Sequence, residues 1–199
     1  MARIGADLRR QDFVKAAINV IAEHGVANAT TRRIAAAANA PLASLHYVFH
    51  TKDDLFYAVY ESLFNLPQQA LELVEAGSTP AETVTRMLRQ TIDWFIENPA
   101  MARAQSELFL WTMRNNPEMT NRIYSVGISV TENSMSLAIG KKIDKTTVND
   151  ISRLVVQLFD GLILSWFAHG DPERLEEETE TACRALSLFV SSIEDKTAL

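Results

Sequence analysis

Cysteine and histidine are scarce in this chain. Its 199 residues hold one Cys and four His. A single thiol, Cys183, excludes an internal disulfide framework and fits a reducing compartment. His24, His46 and His50 lie near the N-terminus and His169 stands alone, so no Cys/His metal set is in sight. HExxH, GxSxG, phosphate-loop and paired-Cys patterns are also missing. The acidic runs Asp53-Asp54 and Glu176-Glu177-Glu178 read as helix N-terminal charge, which the helix dipole favours, and not as catalytic pairs. No enzyme, cofactor or metal is therefore expected. No apolar run opens the chain (MARIGADLRR), so no secretory signal is expected. The most apolar stretch, Leu154 to Ala168, contains Gln157 and Asp160 and reads as too short for a bilayer. These absences imply no membrane partner and a cytoplasmic location. Repeats, low-complexity segments and convincing strand patterns are lacking as well.

What is present is helical periodicity and an uneven charge. The net charge is −6, but residues 1–52 carry seven Lys/Arg against three Asp/Glu. That gives a head of +4 and leaves −10 for the remainder. A basic head on an acidic body is the asymmetry expected when the head alone meets a polyanion.

The head has its own pattern. Phe13, Val14, Ala17, Ile18, Ile21 and Ala22 form one face of a helix over 7–24. Gly25 follows as a stop, since a left-handed residue there favours glycine. Thr30 or Thr31 can N-cap a short helix over 32–38, with Ile34, Ala35 and Ala38 inward. Asn39 sits at a turn that tolerates positive φ. Pro41 opens a third helix, in which Leu45 and Phe49 point to the core. Leu42, Ala43, Ser44, His46, Tyr47 and His50 remain on its other faces. This is the spacing of a helix-turn-helix, whose second helix reads the major groove while the first crosses the backbone. Arg32, Arg33, Tyr47 and Lys52 are then placed to hold phosphates or reach bases.

Residues 10–59 resemble the DNA-binding domain of the TetR family of transcriptional regulators. The resemblance rests on Phe13, Ala17, Ala22, Glu23, Gly25, Thr30, Thr31, Ile34, Ala35, Leu45, Phe49, Lys52, Leu55 and Val59. It implies an all-helical homodimer with a variable ligand-binding domain, in most members a repressor released by a small molecule. It also implies DNA contacts at Thr31, Arg32, Ser44, Tyr47 and Lys52. The full set of expected DNA-facing residues adds Thr30, Arg33, Leu42, Ala43, His46 and His50. The chain departs from the family at Asn39, Pro41, Ala43, His46 and Val48.

Beyond the head, Thr51-Lys-Asp-Asp54 approximates a capping box that opens a helix over roughly 52–75, divided or kinked at Pro67. Gly77-Ser-Thr-Pro80 is a turn before the next helix. Asn98-Pro99 and Asn115-Asn116-Pro117 break the chain around an apolar helix over 101–114. Helices over 119–139, 148–169 and 172–193 follow, for about nine in all. The expected division is a helix-turn-helix domain over 1–52 and a ligand-binding and dimerisation domain over 53–199.

In the last helix Leu175, Thr179, Ala182, Leu186, Phe189 and Ile193 form a seam that a partner helix is expected to cover. Leu158, Gly161, Leu162 and Ser165 are expected to join it in a four-helix dimer bundle. Candidates for a pocket are Phe64, Trp94, Glu107, Leu108, Trp111, Tyr124, Gln157 and Asp160, lining a site for a small, largely hydrophobic effector. The expected function is a sequence-specific homodimeric repressor on a palindromic operator in double-stranded DNA. The alternatives are a DNA-binding regulator with no small-molecule ligand, or a helical-bundle enzyme.

Overall fold

The computed structural model describes residues 2–65, 79–139 and 144–197. For 2–6, 63–65, 138–139 and 194–197 the description is confined to helical backbone. Among the described residues there are nine α-helices, one 3-10 turn and no strand. The helices are α1 (Ala2–His24), α2 (Thr31–Ala37), α3 (Leu42–Val48), α4 (Lys52–Asn65), α5 (Pro80–Glu97), α6 (Pro99–Asn115), α7 (Pro117–Ile139), α8 (Lys145–His169) and α9 (Pro172–Thr197). The 3-10 turn is Val26–Asn28. The all-α class and the helix count follow the sequence reading. Pro67, Leu66, Leu73, Gly77 and Gly140 lie outside the described residues.

The helix ends have local causes. Prolines 80, 99, 117 and 172 each occupy the first helical position, where a missing N–H costs nothing. Consequently α6 and α7 begin at Pro99 and Pro117, two residues earlier than expected. Thr51 and Asp54 form a reciprocal capping box: the Thr51 N–H donates to Asp54 Oδ2 at 2.9 Å and the Asp54 N–H to Thr51 Oγ1 at 3.0 Å. Thr79 and Glu82 repeat it at the start of α5. The Asp144 carboxylate accepts from the Thr146 and Thr147 N–H groups. That cap starts α8 at Lys145, three residues before the expected Val148. Asn39 closes α2 with φ 49. Around it the Asn39 N–H donates to the Ala36 carbonyl and the Ala40 N–H to the Ala35 carbonyl, the bond pair of a Schellman turn. Pro41 is the residue before α3 and not its first turn.

The chain divides into two compact units, Met1–Asn65 with Asn98–Ile123, and Leu66–Glu97 with Tyr124–Leu199. In the first, α1 packs on α2, α4 and α6. Phe13, Ala17, Ile21, Ile34, Leu45, Leu55, Phe56, Leu108 and Ile123 form its fully buried core. A buried side chain of this size contributes roughly 1.5–3 kcal/mol. In the second unit, α9 packs on α5 and α8, and α8 on α5. Arg89 of α5 bonds Glu176 of α9 at 2.5 Å, and the Cys183 thiol donates to the Thr85 carbonyl. Ser165 donates to Glu178 at 2.7 Å, tying α8 to α9.

This arrangement corrects the expected dimer seam. Leu175, Thr179, Ala182 and Leu186 are buried within the single chain, so they present no surface to a partner. An amphipathic stripe shows that a helix is covered, not by what, and here α5 and α8 supply the cover. Leu162 is buried too, and Ser165 is engaged with Glu178. Leu158 and Ile193 are half-buried. Gly161 and Phe189 do face outward, and nothing lies within 4 Å of a Cβ placed at Gly161. A second correction concerns α8. At 25 residues, with a mean hydropathy of 1.4 over its most apolar window, it is long and apolar enough to cross a membrane by length and composition alone. Shortness is therefore no argument against a crossing.

Gly25 links α1 to the 3-10 turn with φ 73 and ψ 159, a region that is essentially glycine-only. Its N–H still donates to the Ile21 carbonyl at 2.8 Å. Gly25→Ala is expected to lower stability by about 1–3 kcal/mol. Urea unfolding of wild type and variant checks this; equal midpoints would refute it.

Candidate nucleic-acid interface

Two seven-residue helices carry the candidate DNA face. Neither is long enough to persist alone. Ile34 and Ala35 anchor α2, and Leu45 with the following Phe49 anchors α3, all buried. Thr30 is the N-cap of α2, its hydroxyl accepting from the Arg33 N–H at 3.2 Å. Thr31 is the first helical residue and half-buried.

The remaining expected contacts separate by role. Arg32, Ala43, His46 and His50 are exposed, and Tyr47 is 83% exposed. Ser44 is half-buried beside them. Arg33 is exposed but its guanidinium donates to the Asn28 carbonyl at 3.1 Å, which ties it to the turn before α2. Leu42 packs against the core of the head and offers part of its side chain at most. Lys52 is half-buried, with Nζ 4.7 Å from the centroid of the Phe56 ring and 5.9 Å from that of Trp111. Burial lowers its pKa, against an opposing contribution from Asp53. Hydrogen bonding to Thr51 holds the neighbouring Asp54 carboxyl below its ordinary range.

Beside α3 lies a groove of about 560 Å³ that the sequence reading missed. Arg10, Phe49, Tyr57, Glu61 and Arg122 contribute to its walls. Arg10 reaches Glu61 at 3.7 Å and stands 5.1 Å from the Phe49 centroid. The Arg122 guanidinium stacks 3.7 Å above Tyr57, and Asn116 donates to Asp53 at 3.1 Å. These partners are far apart in sequence, so no spacing rule points to them.

The candidate pocket residues divide between the two compact units. Leu108 is fully buried in the core of the first unit, and Trp111 of that unit meets Phe56 edge to face at 5.5 Å. Glu107, also of the first unit, is exposed, with a carboxylate oxygen 3.7 Å from a Cβ placed at Gly25. Trp94, Tyr124, Gln157 and Asp160 belong to the second unit, where Gln157 is exposed. The Phe64 side chain lies outside the described residues. Within the second unit Phe95 joins Trp94 at 4.8 Å and Phe159 at 4.9 Å between ring centroids. Asp160, next to Phe159 in α8, is half-buried, and desolvation pushes its carboxyl up to about 6.

The fold and this face define a helix-turn-helix DNA-binding regulator. Residues 13–59 match the family described as bacterial regulatory proteins, tetR family. The nicotine-responsive transcriptional repressor HdnoR of Paenarthrobacter nicotinovorans is 31% identical over 179 residues, spanning 85% of this chain and 90% of that one. Among solved structures, the multidrug binding protein EbrR complexed with ethidium is similar at a TM-score of 0.67 and 25% identity, over 88% of this chain and 96% of that one. A TetR-family member from Streptomyces coelicolor A3 is similar with the same four values. The chain belongs to the TetR family of bacterial transcriptional regulators, which are transcription factors and not enzymes.

The Asp160 environment generates a test. A carboxyl raised from 3.8 to about 6 in the folded chain binds its proton more tightly there than when unfolded. Its contribution to stability is therefore present below about pH 4 and lost as pH rises through about 6. Asp160→Asn should raise the melting temperature at pH 7 and flatten its decline between pH 4 and 6. A variant that melts below wild type at pH 7 would contradict the assignment.

Proposed function

We propose that the protein is a homodimeric repressor that holds a palindromic operator through Arg32 of α2 and the exposed face of α3, and is released by a small, largely hydrophobic effector. Residues 1–52 carry the DNA contacts, and 53–199 sense and dimerise. The observation that carries this reading is Tyr47, a large aromatic 83% exposed on a helix whose opposite side, at Leu45, is buried. An uncovered ring on a helix anchored to the core, with Arg32 and His46 also exposed, suits a phosphate or base edge. In this reading Ser44, Ala43, His50, Thr30 and Thr31 flank the contact, and Arg33 and Leu42 shape it.

Dimerisation is supported by apolar side chains that the chain leaves uncovered on its last two helices. Leu164 is 49%, Leu188 74% and Phe189 41% exposed. A two-fold pairing of these helices places two heads on half-sites about one helical turn apart. Phe189→Glu combined with Leu164→Glu is expected to give monomers in sedimentation velocity and weaken operator binding steeply. A dimer that survives both changes would refute this interface.

For the effector, one relative is nicotine-responsive and a solved neighbour holds ethidium. Both compounds are nitrogen-bearing aromatics, and the Trp94–Phe95–Phe159 cluster offers ring faces with Asp160 close by in sequence. Binding lowers DNA affinity by favouring a head spacing unlike that of the operator, a population shift.

Selection from random duplex DNA by the purified protein, beside an Arg32→Ala/Tyr47→Ala double variant, tests the reading. A palindrome enriched by wild type and lost in the variant is expected. No enrichment at low salt, with or without nitrogen-bearing aromatics, would overturn it.

A further inference from the structure

Lys52 occupies a position expected to hold a DNA phosphate, yet its ammonium is drawn inward. It stands 4.7 Å from the Phe56 centroid and 5.9 Å from that of Trp111. The two rings meet edge to face at 5.5 Å, and Phe56 is fully buried, so the floor of this cradle is fixed. Lys52 is also the first residue of α4. A cation there faces the positive end of the helix dipole, and the negative faces of two rings offset that penalty. A DNA phosphate does the same thing more strongly once the half-buried Lys52 side chain turns its ammonium out toward the duplex.

We propose that Trp111 is a positioning residue for DNA binding: with Phe56 it sequesters the Lys52 ammonium in the free protein, and Lys52 leaves this cradle to pair with a phosphate when DNA is bound. Trp111 touches no DNA in this scheme. It acts by competing for the cation, and Phe is the weaker competitor because indole binds cations best. The inference rests on the DNA-facing reading of the head. All three residues belong to the first compact unit, so it requires nothing of the second.

The test uses the full chain and a short fluorescein-labelled duplex of mixed sequence, because phosphate contacts do not depend on sequence. Trp111→Leu should bind this duplex about three- to tenfold more tightly at low salt, and Trp111→Phe should fall between it and wild type. Lys52→Met should bind more weakly and lower the salt slope by about one phosphate contact. In the Lys52→Met background, Trp111→Leu should have no further effect. Independently, the Lys52 ε-methylene protons of wild type should show an upfield ring-current shift that disappears when duplex is added. Retention of that shift in the complex, or tighter binding by Trp111→Leu that persists without Lys52, overturns the proposal. So does unchanged or weaker binding by Trp111→Leu and Trp111→Phe variants that melt cooperatively. Wild type that binds no duplex at low salt overturns the DNA-facing reading first, and this inference with it.

Discussion

The shortness of α2 and α3 is the constraint on which the rest of the DNA-binding unit depends. Each is seven residues long, well below the dozen or so that an isolated helix needs in water. Their geometry is therefore owed to what they pack on. They pack on each other and on α1, whose Phe13, Ala17 and Ile21 are without exposed surface, and α1 is backed in turn by α4 and α6, where Leu55, Phe56 and Leu108 are equally buried. The caps then set where each helix starts and stops: the Thr30 hydroxyl before α2, the Schellman turn at Asn39, and the Thr51–Asp54 box at α4. A recognition helix held this way reads DNA with little freedom left to lose.

That dependence explains why α6, nearly fifty residues downstream of α4's start, belongs to the same compact unit as the head. The helix is apolar on the side that meets α1 and α4, and its Trp111 reaches Phe56. Asn116, just after it, accepts from the Met119 N–H to cap α7 and donates to Asp53 at the start of α4. One side chain thus pins two helix starts. In this chain a few polar contacts and one aromatic pair make the joint between α4, α6 and α7.

Much of this was legible in the sequence wherever the controlling interaction is local. Gly25, Asn39 and the Thr51–Asp54 box act within five residues of themselves, and the structure places each as its chemistry demands, whereas Pro41 precedes α3 instead of opening it and the helices at Pro99 and Pro117 take in two residues more than their breaks announced. The limits appear where the partner is distant. Leu175, Thr179, Ala182 and Leu186 announce an apolar stripe, but periodicity does not say whether α5 or a second chain covers it. Lys52 announces a cation near DNA, but not the rings of Phe56 and Trp111 that claim it. Glu107, set in an apolar run, lies on the surface, because one helix face of that run looks outward.

The apolar character of α8 is best explained by division of its circumference. Val148, Ile151, Val155, Leu162 and Ile163 are buried in the chain. Leu164 and Phe167 are not, yet exposed Gln157, exposed Gly161 and half-buried Asp160 interrupt the uncovered side. Hydrocarbon would leave that amide and carboxyl unsatisfied at a cost of several kcal/mol, whereas a protein surface can offer donors to them. Gly161, with nothing within 4 Å of a Cβ placed there and exposed Leu164 three residues on, also suits close approach by another helix. The same side chains that bring α8 within the composition range of a membrane span therefore suit a packed protein surface better than a lipid.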